Sequence, residues 1–195
     1  MTEIFLIDTE TTGLEGYPFD YVVDVGIVRV DFDSKEVSDV FSSIVGHDVR
    51  NWSEYTKSAW IFKNSDLSIE DVMLAPCVEL IASQLRGILD GKSVTSYNTA
   101  FDFNKFLLHP PYLLDESVCK FARDPMVAAT NVCSIPGIRG FKWPKLEEAY
   151  ALICPEDPVG IRGKQDHRAL SDARVAGHVV LGLYRMGAYD PEAVC

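Results

Sequence analysis

An uninterrupted apolar run, Ile4-Phe5-Leu6-Ile7, stops abruptly at Asp8. That pattern predicts a buried central strand whose polar end opens into a site. The segments 22–30 and 37–45 are rich in β-branched residues and flank Asp33-Ser34-Lys35, so they predict an antiparallel hairpin. Between 68 and 89 the period changes. Val78, Ile81, Ala82, Leu85 and Leu89 carry helical spacing, Pro76 breaks or starts the helix locally, and Gly91 closes it. A second short strand is expected over 93–97, followed at once by a helix from about 101 to 108 that stops before Pro110 and Pro111. Two further helices are expected over 145–153 and 169–185, with Gly187 at the C-terminal cap. Between them, residues 155–165 hold two prolines and two glycines and read as a mobile loop. Three hairpin-like strands followed by alternating helices and strands predict an α/β fold, a mixed central β-sheet flanked by α-helices.

Length and composition narrow this picture. The 195 residues, 47% hydrophobic and 24% charged, suit one compact globular domain over 1–195. No stretch approaches the roughly 20 apolar residues of a membrane span, and acidic Glu3 leads straight into the first strand, so the expected location is the cytoplasm, with no membrane partner. Five cysteines, Cys77, Cys119, Cys133, Cys154 and Cys195, show no Cys-x-x-Cys pair and fit neither a zinc site nor a disulfide framework. The net charge of −11 speaks against a nucleic-acid partner, which clustered Lys and Arg normally bind. A cluster of acids holding divalent ions would account for part of that charge and reverse its local sign.

Asp8 and Glu10 are two residues apart at a strand end, so both carboxylates project from one face, roughly 7 Å apart along the backbone. Mg²⁺ and Mn²⁺ prefer carboxylate oxygens, and two such ions could share the pair if other segments supplied further acids. Two segments offer them. Asp102 follows the second short strand at the start of its helix, and Asp172 lies in the first turns of the last helix. On the residues alone, Asp102 also fits a helix N-terminus favoured by the macrodipole, and Asp172 an exposed helix charge. His167 precedes Asp172 by five residues, about 140° around an ideal helix, so the two share a site only if His167 sits in the loop or the frayed first turn. A general-base role suits a histidine placed there, whereas His47, His109 and His178 read as structural or surface groups.

Three segments, Asp8-Thr9-Glu10-Thr11-Thr12-Gly13, Ser96-Tyr97-Asn98-Thr99-Ala100-Phe101-Asp102 and His167-Arg168-Ala169-Leu170-Ser171-Asp172-Ala173, resemble in order and spacing the three exonuclease motifs of the DEDD superfamily, in its histidine-containing branch. That branch includes the epsilon proofreading subunit of DNA polymerase III, RNase T and oligoribonuclease. Tyr97 departs from the pattern, standing where many members have His. The resemblance runs from about Ile4 to Arg185 and implies a ribonuclease H-like fold and 3′→5′ exonuclease activity. It implies that Asp8, Glu10 and Asp172 hold one Mg²⁺ or Mn²⁺, that Asp8 bridges to a second, and that Asp102 supports the second through water. Two ions so placed stabilise the attacking and leaving oxygens at phosphorus, while His167 takes a proton from the attacking water and a 5′-nucleoside monophosphate leaves.

Thr11, Thr12 and Gly13 are expected to turn the chain so that backbone N–H groups meet the terminal nucleotide, Leu14 to wedge against the last base, and Asn98 to join the substrate-contacting set. Arg139, Lys142, Lys145, Arg162, Lys164 and Arg168, with Trp143 among them, form either a backbone-contacting rim or a solvated face. Trp52, Tyr55 and Trp60 read as core or loop packing. The expected partner is a nucleic-acid 3′ end, single-stranded DNA before RNA. A homodimer and a polymerase association are the protein contacts considered. The alternative from another class is a module that grips a 3′ end or a polymerase without cleaving; the filled catalytic positions argue against it.

Overall fold

The computed structural model describes residues 2–156, 158, 160 and 166–193. The chain opens with a meander, β1 (Glu3–Thr11), β2 (Val22–Asp31) and β3 (Glu36–Ile44). Short helices α1 (Glu54–Lys57), α2 (Ile61–Asn64) and α3 (Ile69–Leu74) follow, then the longer α4 (Val78–Leu89). Strand β4 (Ser93–Thr95) leads into α5 (Thr99–Asp102), which continues through Phe103–Leu107 as a π-type turn. The remainder is β5 (Lys120–Phe121), α6 (Pro125–Cys133), a small hairpin of β6 (Pro136–Gly137) and β7 (Gly140–Phe141), α7 (Leu146–Ile153) and α8 (Ala169–Arg185).

Five strands form one sheet in the order β3-β2-β1-β4-β5, with β1 central, antiparallel to β2 and parallel to β4. Parallel pairing puts the C-terminal ends of β1 and β4 at one edge, where a crossover sheet gathers functional groups. Side chains alternate along β1. Ile4 and Leu6 belong to the core packed under α6, α7 and α8, while Phe5 and Ile7 belong to the core shared with α4 and the 103–107 turn. A one-residue slip would exchange the two sets between cores shaped for different side chains and turn Asp8 and Glu10 to the opposite face, so the register is firmly set.

The predicted α/β class, mixed sheet and long elements are present, and α8 has the predicted bounds. The 68–89 segment is two helices, α3 and α4, because Pro76 cannot continue the first. Helix α6 and the hairpin after it were not predicted. Their signal was legible, since Asp124 caps α6 through the Met126 N–H and Pro125 opens its first turn. The loop expected over 155–165 falls largely outside the described residues. Among those described, no helix is long and apolar enough to cross a membrane.

Candidate active site

Alternation along β1 decides where the acids go. Asp8 and Glu10 continue the face of Ile4 and Leu6, toward α8, whereas Thr9 lies on the face of Phe5 and Ile7. Helix α8 brings Asp172 to meet them in its first turn. Carboxylate oxygens of Asp8, Glu10 and Asp172 all lie within 4.8 Å of one another, and Asp172 is only 7% exposed. The surface-charge alternative for Asp172 is thereby set aside.

Asp102 arrives from the neighbouring strand. The αL conformation of Asn98 (φ 74°) turns the chain out of β4 into α5, and the Asp124 carboxylate accepts the N–H groups of Asn98 and Thr99 to hold that turn. Asp102 is buried, and one of its oxygens accepts both the Thr9 N–H (3.1 Å) and the Thr9 hydroxyl (2.6 Å). The residue between the two β1 acids therefore fixes the fourth acid. Tyr97, the departure from the family pattern, is buried and donates its hydroxyl to the Pro144 carbonyl at 2.9 Å, tying the end of β4 to the start of α7.

The electrostatics of the cluster are unfavourable as it stands. Burial, followed by the charges of Asp102, Asp172, Glu10 and Asp24, pushes the Asp8 carboxyl well above the usual range. Burial, then Asp172 and Asp24, pushes Glu10 up to about 9. Burial pushes Asp102 up to about 7, although the Thr9 hydroxyl pulls it down. The charges acting most strongly on Asp8 and Glu10 are all carboxylates. Such a donor set of hard oxygens suits a hard divalent cation, which would favour the ionised form of every member.

Asp24, which the sequence reading passed over, completes the frame. It faces Glu10 across the β1–β2 pair, is 1% exposed, and accepts Arg168 Nε at 2.7 Å and the Ala169 N–H at 3.2 Å. Arg168 also reaches Asp66 at 3.1 Å. Burial raises the Asp24 pKa and the Arg168 hydrogen bond opposes the rise. His167 lies before α8 with φ 52°, outside the helix as its spacing required. Its ring packs edge-on against Trp60 with centroids 4.7 Å apart.

In the turn after β1, the Thr12 N–H donates to the Tyr21 carbonyl and the Thr12 hydroxyl accepts from Tyr21 and lies 3.4 Å from Asp20. Thr12 thus holds the turn, and its N–H is engaged by protein rather than open to a nucleotide. The Thr11 hydroxyl donates to the Gly13 carbonyl. Leu14 is 70% exposed beyond this turn, and its carbonyl accepts from Lys105 Nζ. Lys105 also accepts the Tyr17 N–H through its carbonyl, so it secures both sides of the Leu14 loop.

Three of the four described basic residues of the rim are committed to acids. Arg168 serves Asp24 and Asp66, Lys142 pairs with Glu148 and Lys145 with Glu147; Arg162 and Lys164 lie outside the described residues. Trp52 is buried as expected, but Tyr55 and Trp60 are exposed, as is Trp143. His47 bonds the Val22 carbonyl through Nε2, and His109 bonds the Asn104 carbonyl and stacks on Tyr17, both structural uses.

Known proteins share this fold. Residues 5–180 match the RNase T family model, described as exonuclease. The chain is 28% identical over 185 residues to the DNA polymerase III subunit epsilon of Rickettsia prowazekii (strain Madrid E), covering 91% of this chain and 72% of that one. Among solved structures it resembles the nuclease domain of 3′hExo, a DEDDh family member bound to rAMP, at a TM-score of 0.71 and 16% identity over 100% of this chain and 96% of that one. It also resembles a full-length 3′-exonuclease at a TM-score of 0.69 and 16% identity; the match covers 96% of this chain but only 62% of that one.

Proposed function

The chain belongs to the RNase T exonuclease family and is a 3′→5′ exonuclease of the DEDD superfamily, and from that membership we propose that it shortens single-stranded DNA by one 5′-nucleoside monophosphate at a time. The observation that carries this reading is the convergence of Asp8, Glu10 and Asp172 from a strand end and a helix start, with Asp102 held beside them by Thr9. Family members depend on divalent metal, and the oxygen-only cluster fits one. Asp8, Glu10 and Asp172 would hold one Mg²⁺ or Mn²⁺, and Asp8 with Asp102 a second. Bound there, the ions would supply Lewis-acid stabilisation of the charge that develops on the attacking and leaving oxygens.

The protein's own groups do the rest. An imidazole nitrogen of His167 takes the proton of the attacking water as its oxygen bonds to phosphorus. The bond from phosphorus to the 3′ oxygen breaks in line and that oxygen takes up a proton from water, leaving a shortened strand with a free 3′-hydroxyl and a released 5′-nucleoside monophosphate. Leu14, exposed at the tip of its turn, packs against the terminal base, and Thr11, Gly13 and Asn98 border the nucleotide. Thr12 supports them from within the turn. Residues 1–195 act as one catalytic domain in the cytoplasm, alone, as a homodimer or beside a polymerase.

DNA is favoured over RNA by the likeness to a DNA polymerase subunit, while the rAMP in the 3′hExo structure keeps RNA as the second reading. The test is digestion of matched DNA and RNA single strands, 5′-labelled, with Mg²⁺ or EDTA. A ladder shortening from the 3′ end with Mg²⁺ only, faster on DNA, is expected. Faster digestion of RNA would reverse the substrate preference, and efficient cutting of a closed single-stranded circle would overturn the exonuclease reading.

A further inference from the structure

Trp60 stands before α2 and remains 57% exposed, yet its ring meets His167 at 4.7 Å and 81°, an edge-to-face arrangement. Ile61, the next residue, is 1% exposed and anchors the segment in the core. Asp66, further along the same stretch, bonds Arg168, the residue after His167. One segment thus touches the chain at His167 and again at Arg168. The other side of Arg168 is bound to Asp24, opposite Glu10.

His167 needs such support. A non-glycine residue at φ 52° occupies the sparsely populated left-handed region, which persists only where the surroundings impose it. Arg168 and the Ala169 N–H fix its backbone against Asp24, but neither restrains the imidazole about its own side-chain torsions. The aromatic contact with Trp60 does. Among the described residues, Trp60 is the aromatic ring in contact with His167.

We propose that Trp60 is a positioning residue that holds the His167 imidazole in its proton-accepting orientation, which makes the 60–66 segment part of the catalytic apparatus. This rests on the reading of His167 as the general base. Edge-to-face aromatic pairs bias conformer populations by roughly 2- to 10-fold, so the effect falls on the rate of the chemical step and leaves binding of the strand unchanged.

The test uses the full chain with Mg²⁺ and a 5′-labelled single strand. Trp60→Ala should lower kcat roughly 3- to 10-fold with KM unchanged, and Trp60→Phe, which keeps a ring, should restore most of the loss. Independently of activity, the His167 ring-proton resonances should be displaced by the indole ring current in the wild type and move to ordinary positions in Trp60→Ala. Unchanged kcat and resonances in Trp60→Ala would overturn the proposal, as would a raised KM with unchanged kcat, which would make Trp60 a substrate contact. His167→Ala separates the two levels. If it cleaves at the wild-type rate, the general-base reading fails and the proposal with it; if it is slow while Trp60→Ala is not, only the positioning role falls.

Discussion

Asp24 and Arg168 are joined at 2.7 Å across 144 positions of sequence, and that bond links the two halves of the acid cluster. Asp24 faces Glu10 on β2, while Arg168 is the N-cap of the helix that carries Asp172. The same Asp24 oxygen accepts the Ala169 N–H, the first donor of α8. The separation between the β1 acids and the α8 acid is therefore set by a half-buried ion pair that need not touch substrate.

The two partners should fail unequally. Arg168→Ala leaves a carboxylate 1% exposed beside Glu10 with its guanidinium gone, at a cost toward the low end of the about 3–5 kcal/mol of a fully buried pair, since Arg168 is itself 28% exposed. Asp24→Asn removes the charge, keeps an acceptor and relieves repulsion on Asp8 and Glu10, so its cost should be smaller, about 1–3 kcal/mol. Urea unfolding of both variants checks the order. Equal losses would show that charge compensation is not what Arg168 provides.

Gly26 makes the close approach of α8 to β2 possible. A Cβ there would lie 2.2 Å from the Leu170 backbone nitrogen and 2.5 Å from the Ala169 carbonyl carbon, both main-chain atoms that cannot swing aside. Gly26→Ala should push the start of α8 off the sheet and cost about 1–3 kcal/mol by overpacking. Asp172 moves with the helix, so activity should fall well beyond what the stability loss explains. Wild-type kcat in a Gly26→Ala protein shown to be folded by circular dichroism would sink this account.

The sequence legibility of the site follows from how local each signal is. The shared face of Asp8 and Glu10 is readable because a strand alternates every second residue, and the position of His167 outside α8 because five helical steps exclude it from the face of Asp172. The long elements were readable for the same reason. Asp24 was not, since an acid within a β-branched run gives no sign that it will cap a helix 145 residues away. Trp60 is similar: nothing in its neighbourhood distinguishes a core tryptophan from one exposed against His167. Of the basic residues, the pairing of Lys142 and Lys145 with Glu148 and Glu147 is local, whereas that of Arg168 with Asp24 and Asp66 depends on tertiary placement.

Metal and pH act together on stability. A carboxyl whose folded pKa is raised stabilises the fold below its ordinary pKa, and that contribution is lost as pH rises through the folded value. For Asp102 the window runs from 3.8 to about 7, and for Glu10 from 4.5 to about 9. The metal-free protein should therefore lose stability across that range, and saturating Mg²⁺ should raise the melting temperature more at pH 8 than at pH 5. Melting curves in EDTA and in Mg²⁺ at both pH values decide it. A Mg²⁺ shift absent at pH 8 would show that the cluster binds no metal.

Asp8 and His167 should fail in different ways, and the contrast separates metal binding from proton transfer. Asp8 shares the 4.8 Å cluster with Glu10 and Asp172 and is acted on by Asp102, so it borders both proposed ion positions. Asp8→Ala should remove ligands from each, abolish most of the Mg²⁺-dependent rise in melting temperature and leave activity near background. His167 lies outside α8 against Trp60 and is not among the clustered acids. His167→Ala should keep the Mg²⁺ shift almost intact while cleavage slows by roughly 10²–10⁴-fold. Calorimetric titration with Mn²⁺ and single-turnover digestion, run on both variants, read the two quantities separately. Loss of Mn²⁺ binding in His167→Ala would place the histidine among the metal ligands, and a wild-type rate in that variant would leave the carboxylates and their ions as the whole of the catalytic apparatus.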